Sequence, residues 1–201
     1  MTRSVYSLTA LAVALASAPA TVVAAAALDL SIEVPSLKVA EYHRPYVAAW
    51  IEKPDYAVAA NLAVWYQQTR AEERPKPEPG KPGGPGGGPG GGEGGGHDGT
   101  KWLKDLRQWW RRSGRTQRQF PIDGVSGATR PEGTHTLNFS ADAAPLKDLP
   151  PGAYRLVVEA AREVGGRELL KIAFDWPPTA ELHLTAQGQT ELGAIALDLR
   201  P

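Results

Sequence analysis

The sequence predicts a mainly β fold: an antiparallel Ig-like or transthyretin-like β-sandwich with one inserted amphipathic helix and a disordered Gly/Pro-rich loop. Three observations carry this reading. Several short stretches alternate apolar and polar residues with a period of two. Gly/Pro-rich turns separate those stretches at regular spacing, as in sandwiches. Only one segment, residues 100–113, spaces its apolar residues as a helix does.

Leu28, Leu30, Ile32 and Val34 alternate with Asp29, Ser31 and Glu33 as a half-buried strand, which Pro35 ends. Apolar runs follow at Tyr46 to Ile51 and Tyr56 to Tyr66, separated by a Lys53-Pro54-Asp55 turn, and suggest antiparallel strands. By composition Ala57 to Trp65 also suits a helix. Residues 74–99 are a different material, in which Pro-Lys-Pro-Glu-Pro gives way to Gly/Pro repeats. No apolar residue there can offset the entropy of ordering the chain, so a disordered insertion in a surface loop is expected. Its Gly-x-Gly-x-x-Gly matches lack a feeding strand and are no nucleotide fingerprint. His97-Asp98 reads as a solvated loop pair and not as a metal site.

Residues 100–113 form the expected Trp-rich basic helix, with Asp98 or Thr100 as N-cap. Trp102, Leu103, Leu106, Trp109 and Trp110 share its apolar face, and Lys101, Lys104, Arg107, Arg111 and Arg112 lie mostly opposite. Such a basic face draws in anionic groups. Beyond it, Gly133 to Phe139 alternates again, with Thr134, Thr136 and Asn138 on one face and His135, Leu137 and Phe139 on the other. Ala153 to Ala161 and Glu168 to Trp176 form a hairpin across Gly165-Gly166. Pro177-Pro178 breaks the chain before Glu181 to Ala186, and Leu192 to Leu199 is the last strand. One β-sandwich domain over residues 28–199 is expected, with an excursion at 67–130.

The chain has 201 residues, with 22 Lys plus Arg against 22 Asp plus Glu and no Cys. Zero net charge gives no global field for nucleic acid. Without Cys there are no disulfides, thiolate metal sites, Cys nucleophiles or thioether-linked haem. His43, His97, His135 and His183 show no ligand spacing, and no hydrolase elbow appears. Residues 1–26 read as a signal peptide: Arg3, an apolar run from Val5 to Ala16, then Ala16-Ser17-Ala18 and Ala24-Ala25-Ala26 as Ala-x-Ala sites. An uncleaved anchor is the other reading of that stretch. A periplasmic, exported protein is expected.

One stretch carries chemistry: Asp123-Gly124-Val125-Ser126-Gly127-Ala128-Thr129. Its turn dipeptides and the preceding Pro121 predict an exposed loop. Gly127 and Ala128 leave the Thr129 hydroxyl open to a large enzyme. Asp-x-x-Ser-Gly-Ala-Thr resembles the acceptor motif of ApbE-type flavin transferases, found in the C subunit of the sodium-translocating NADH:quinone reductase. Five fixed positions recur by chance on the order of once in a few thousand such chains. The resemblance implies FMN attached by a phosphoester to Thr129, with Asp123, Ser126, Gly127 and Ala128 as the recognition sequence. Read without it, the stretch is a Gly-rich turn joining two elements.

A second resemblance spans nearly all of the chain after its leader, apart from the Gly/Pro insertion. Residues 40–48 (Ala-Glu-Tyr-His-Arg-Pro-Tyr-Val-Ala), 101–106, 123–129, 133–135 and 160–166 look like a family of predicted periplasmic bacterial proteins, domain of unknown function 2271. That resemblance implies association with exported flavinylation and with PepSY-type membrane reductases. The chain would then be an electron carrier and a substrate of the transferase, not itself an enzyme. Trp109, Trp110 and Arg111 are further candidates for the cofactor site, since aromatic faces suit a flat π-system. Tyr42, His43 and Arg44 form a polar cluster able to flank a flavin. The alternative is a cofactor-free periplasmic β-sandwich that binds a protein or glycan through exposed Trp65, Trp109 and Trp110. The two readings part at Thr129: a hydroxyl buried and hydrogen-bonded as a structural turn suits the second, an open and mobile loop the first.

Overall fold

The computed structural model describes residues 25–68 and 99–201. The expected leader up to residue 24, the Gly/Pro insertion up to Asp98, and His97 lie outside the described residues. Nine strands are described. They run β1 Ala27–Val34, β2 Tyr46–Glu52, β3 Val58–Tyr66, β4 Ser126–Ala128, β5 Gly133–Ser140, β6 Gly152–Ala161, β7 Arg167–Trp176, β8 Leu182–Gln187 and β9 Ala194–Arg200. They form a four-stranded sheet ordered β5-β1-β9-β8 and a five-stranded sheet ordered β4-β3-β2-β6-β7. All pairings are antiparallel except β3 with β4. The β-sandwich expectation holds.

Period-two alternation explains the packing between sheets. Leu28, Leu30 and Ile32 of β1 point inward beside Ile195, Leu197 and Leu199 of β9. Facing them are Val47, Ala49 and Ile51 of β2, Leu156 and Val158 of β6, and Ile172, Phe174 and Trp176 of β7. Edge strand β8, with one face in solvent, keeps a strict alternation of exposed and half-buried positions over its last four residues.

Strands β2, β3 and β6 look different in sequence, as near-continuous apolar runs, because both their faces are covered. Their outward residues Ala48, Trp50, Val64, Tyr66 and Val157 meet Leu103, Leu106 and Trp109 in a second core. Residues 58–66 are therefore a strand, although their composition also suits a helix; pairing with β2 overrides propensity. A layer of short helical turns thus lies on the outer face of the five-stranded sheet.

That layer is not the single helix expected over 100–113. It is a 3-10 helix at Gly99–Asp105, a break at Leu106, the α-helix α1 at Arg107–Arg112, and a 3-10 turn at Gly114–Thr116. The break has a cause in the sheet. In a continuous helix the N–H groups of Gln108 and Trp109 would donate to the carbonyls of Lys104 and Asp105. They donate instead to the Glu159 carboxylate of β6, at 3.0 and 2.8 Å.

Leu197, wholly buried between the sheets, measures that core. Leu197→Ala should lower stability by about 2–5 kcal/mol in urea unfolding.

Candidate functional site

The motif is a docked segment, not the free loop its composition suggests. Ile122 to Ser126 close a turn: the Ser126 N–H donates to the Ile122 carbonyl at 2.9 Å, and the Ile122 N–H donates back to Ser126 Oγ at 2.9 Å. Ser126, Gly127 and Ala128 then run parallel to Val64, Trp65 and Tyr66 as the sheet's edge strand. The Thr129 N–H continues that ladder to the Tyr66 carbonyl at 3.2 Å. Gly127 lies against the Trp65 indole, where a Cβ would approach Cδ1 to 3.3 Å. Gly124, at φ +66°, takes the left-handed position of the turn.

Several motif residues therefore have work inside the fold. Ser126 Oγ closes the turn, Gly127 admits Trp65, and the Thr129 backbone extends the edge. Left over are the exposed Asp123 and Ala128 side chains and the Thr129 hydroxyl. Thr129 is half-buried, and among the described residues nothing hydrogen-bonds its hydroxyl.

Thr129 lines a cavity of about 750 Å³, within the roughly 300–1,000 Å³ of small-molecule and cofactor sites. The walls come from one end of the five-stranded sheet. Register brings Tyr46 of β2 opposite Ala161 of β6, Ala161 opposite Arg167 of β7, and Tyr66 of β3 beside Ala128. Tyr42, His43 and Arg44 precede β2, Gln67 follows β3, and residues 162–166 join β6 to β7. The helical layer adds Trp102, Asp105 and Arg107.

Buried carboxylates hold these walls. Glu159, wholly buried, accepts the two amides that open α1 and a 2.8 Å bond from Arg167. Glu191 pairs with Arg162 through two bonds of 2.9 and 3.1 Å and accepts the Gly166 N–H at 2.7 Å. Glu168 in turn accepts the N–H groups of Gln189, Thr190, Glu191 and Leu192, which places Glu191. Burial alone would raise the Glu168 carboxyl, but the bonds from Gln189, Leu192 and Thr190 outweigh it and hold its pKa below the usual 4.5.

The cavity is mixed in charge. Arg162 and Arg167 are committed to Glu191 and Glu159. His43 lies 3.2 Å from Glu41 and 3.9 Å from Glu163, and Asp105 and Glu163 add negative charge to the lining. Exposed Arg44 and Arg107 have no carboxylate partner among the described residues. Tyr42 Oη is shielded from water and unbonded; burial foremost, with the Glu132 charge, raises its pKa and keeps the phenol neutral.

Two expectations are corrected. Trp109 does not flank the cavity: it is wholly buried in the second core, and its Nε1 donates to Asn61 Oδ1 at 2.9 Å. Half-buried Trp110 and exposed Arg111 do not line the cavity either. Burial of Trp65 and Trp109 likewise removes them from any exposed recognition surface. Their places at the cavity are taken by Trp102 and Arg107, because the chain breaks at Leu106 and the faces of a single helix are not kept. The signal for these walls was in the sequence: residues 40–48, 101–106, 123–129 and 160–166, which carry the family resemblance, converge on this cavity.

A family model described as a predicted periplasmic protein (DUF2271) matches residues 27–194. No curated protein and no solved structure matches the chain. Among the described residues no helix is long and apolar enough to cross a membrane, and no cluster of His, Cys, Asp or Glu could hold a metal ion.

The lowered Glu168 pKa makes the wall acid-sensitive. Its contribution is present above the ordinary value of 4.5 and is lost as pH falls through the depressed folded value. Urea unfolding should show wild type losing stability steeply on acidification below pH 4.5. Glu168→Gln should be less stable at neutral pH and show a shallower acid slope.

Proposed function

The chain belongs to the DUF2271 family of predicted periplasmic proteins, and we propose that it is an exported electron carrier whose FMN is attached covalently to Thr129. The observation that carries this reading is the Thr129 hydroxyl itself, without a hydrogen-bond partner among the described residues, at the wall of a cofactor-sized cavity. A turn threonine kept only for structure would be expected to bond its hydroxyl locally. The surroundings suit the group as well. Arg44 and Arg107 are guanidiniums fit for an anionic ligand, and Tyr42 Oη is a buried hydroxyl with no partner that a polar ligand atom would satisfy.

An ApbE-type flavin transferase would supply the catalysis. The Thr129 oxygen attacks the FMN-side phosphorus of FAD, forming a phosphoester bond. The pyrophosphate bond breaks, AMP leaves, and the hydroxyl proton passes to a base of the transferase. Exposed Asp123 and Ala128 are the side chains such an enzyme reads from outside, while Ser126 and Gly127 keep the strand in shape. Once bound, the flavin supplies reversible electron transfer, and the chain supplies binding, orientation and electrostatics. A PepSY-type membrane reductase is the proposed redox partner. In this role the chain is a carrier and not an enzyme.

The test is co-expression with an ApbE-type transferase and measurement of intact mass. Wild type should gain one FMN less one water, Thr129→Ser should retain most of that gain, and Thr129→Ala should lose it. An unmodified wild type, beside a known acceptor that the same transferase does modify, overturns the reading.

A further inference from the structure

We infer that the cavity beside Thr129 is a built ring pocket, in which Trp102 stacks on the flavin and Arg44 and Arg107 set the charge around it. This deepens the acceptor reading of Thr129 and rests on it. A flavin bound only at Thr129 would otherwise swing freely in solvent.

Trp102 is the anomaly that leads here. Its neighbours Leu103 and Leu106 and the nearby Trp109 are all wholly buried, yet Trp102 is 42% exposed and belongs to neither core. The 3-10 geometry of Gly99–Asp105 turns it away from the sheet, onto the cavity that Thr129 also lines. Lys101 Nζ lies 5.0 Å from its ring centroid, a contact that occupies at most one face. An indole standing half in solvent at a concave wall suits stacking with a flat aromatic ligand.

The charges agree with an anionic one. Fixed pairs with Glu191 and Glu159 already balance Arg162 and Arg167. Among the described residues Arg44 and Arg107 form no ion pair: one precedes β2, the other opens α1. Glu163 and Asp105 soften this field without being drawn close enough to pair with either arginine. Positive charge beside a flavin favours its reduced, more negative form and so raises its potential. Glu159 makes the arrangement rigid by fixing the two amides that follow Arg107.

The test uses protein flavinylated in the exporting cell, with intact mass as the gate. An indole in face contact quenches flavin fluorescence by donating an electron to the excited ring. Wild type should fluoresce several-fold less than its own protease digest and resist iodide quenching. Trp102→Ala, whose side chain supports neither core, should regain that fluorescence with the FMN mass gain and the melting temperature unchanged. Arg107→Ala should lower the midpoint potential, and Arg107→Lys should restore part of it. A loaded wild type as fluorescent and as open to iodide as its digest overturns the pocket while leaving the acceptor reading intact. Absence of the mass gain on Thr129 overturns both.

Discussion

A wholly buried carboxylate on a central strand organises this molecule. Glu159 stands on the outer face of β6, where a buried carboxylate without donors is costly. It finds three: the amides of Gln108 and Trp109 and the guanidinium of Arg167. Breaking a buried pair of this kind is strongly destabilising, because the partner left behind is uncompensated. Satisfying Glu159 interrupts the helical segment at Leu106 and pins α1 to the sheet. It also fixes Arg107 at one wall of the cavity and Arg167 at another.

From that anchor the rest follows. A helical layer fixed on the five-stranded sheet buries the outward residues of β2, β3 and β6 and gives the chain its second core. It also raises one wall of a cavity at the end of the sheet where β2 begins and β3, β4 and β6 end. The opposite wall is set by a second set of carboxylate bonds, from Glu168 to the 189–192 turn and from Glu191 to Arg162. Thr129 is where the edge strand finishes. The fold thus offers a hydroxyl from a strand end at the wall of a concave space, a sounder platform for a ligand than a loose loop.

Most strands were legible because alternation is a local signal. Leu28 to Val34, Tyr154 to Ala160 and Glu168 to Trp176 show in sequence the faces they take in the sheet. The Trp-rich segment was misread as one helix because the residue that breaks it, Glu159, lies fifty positions away. Periodicity within 100–113 carries no trace of that partner. A single helix would also bring Trp109 toward the cavity, where the broken one places Trp102. The motif's conformation was not legible: Gly-rich composition suggests a free loop, whereas pairing with Val64 to Tyr66 makes it an edge strand. The cavity was the least legible feature: its segments stand out in sequence, but strand register and the carboxylate bonds are what bring them together.

The decisive measurement is peptide fragmentation of protein co-expressed with an active transferase, which locates any covalent flavin. Ser126 and Thr129 both carry hydroxyls within the motif, but Ser126 Oγ is engaged with the Ile122 amide, whereas the Thr129 hydroxyl has no partner among the described residues. The account predicts fragment ions that place a single flavin on Thr129. Flavin on Ser126, on another residue, or on no peptide from cells with an active transferase would contradict it.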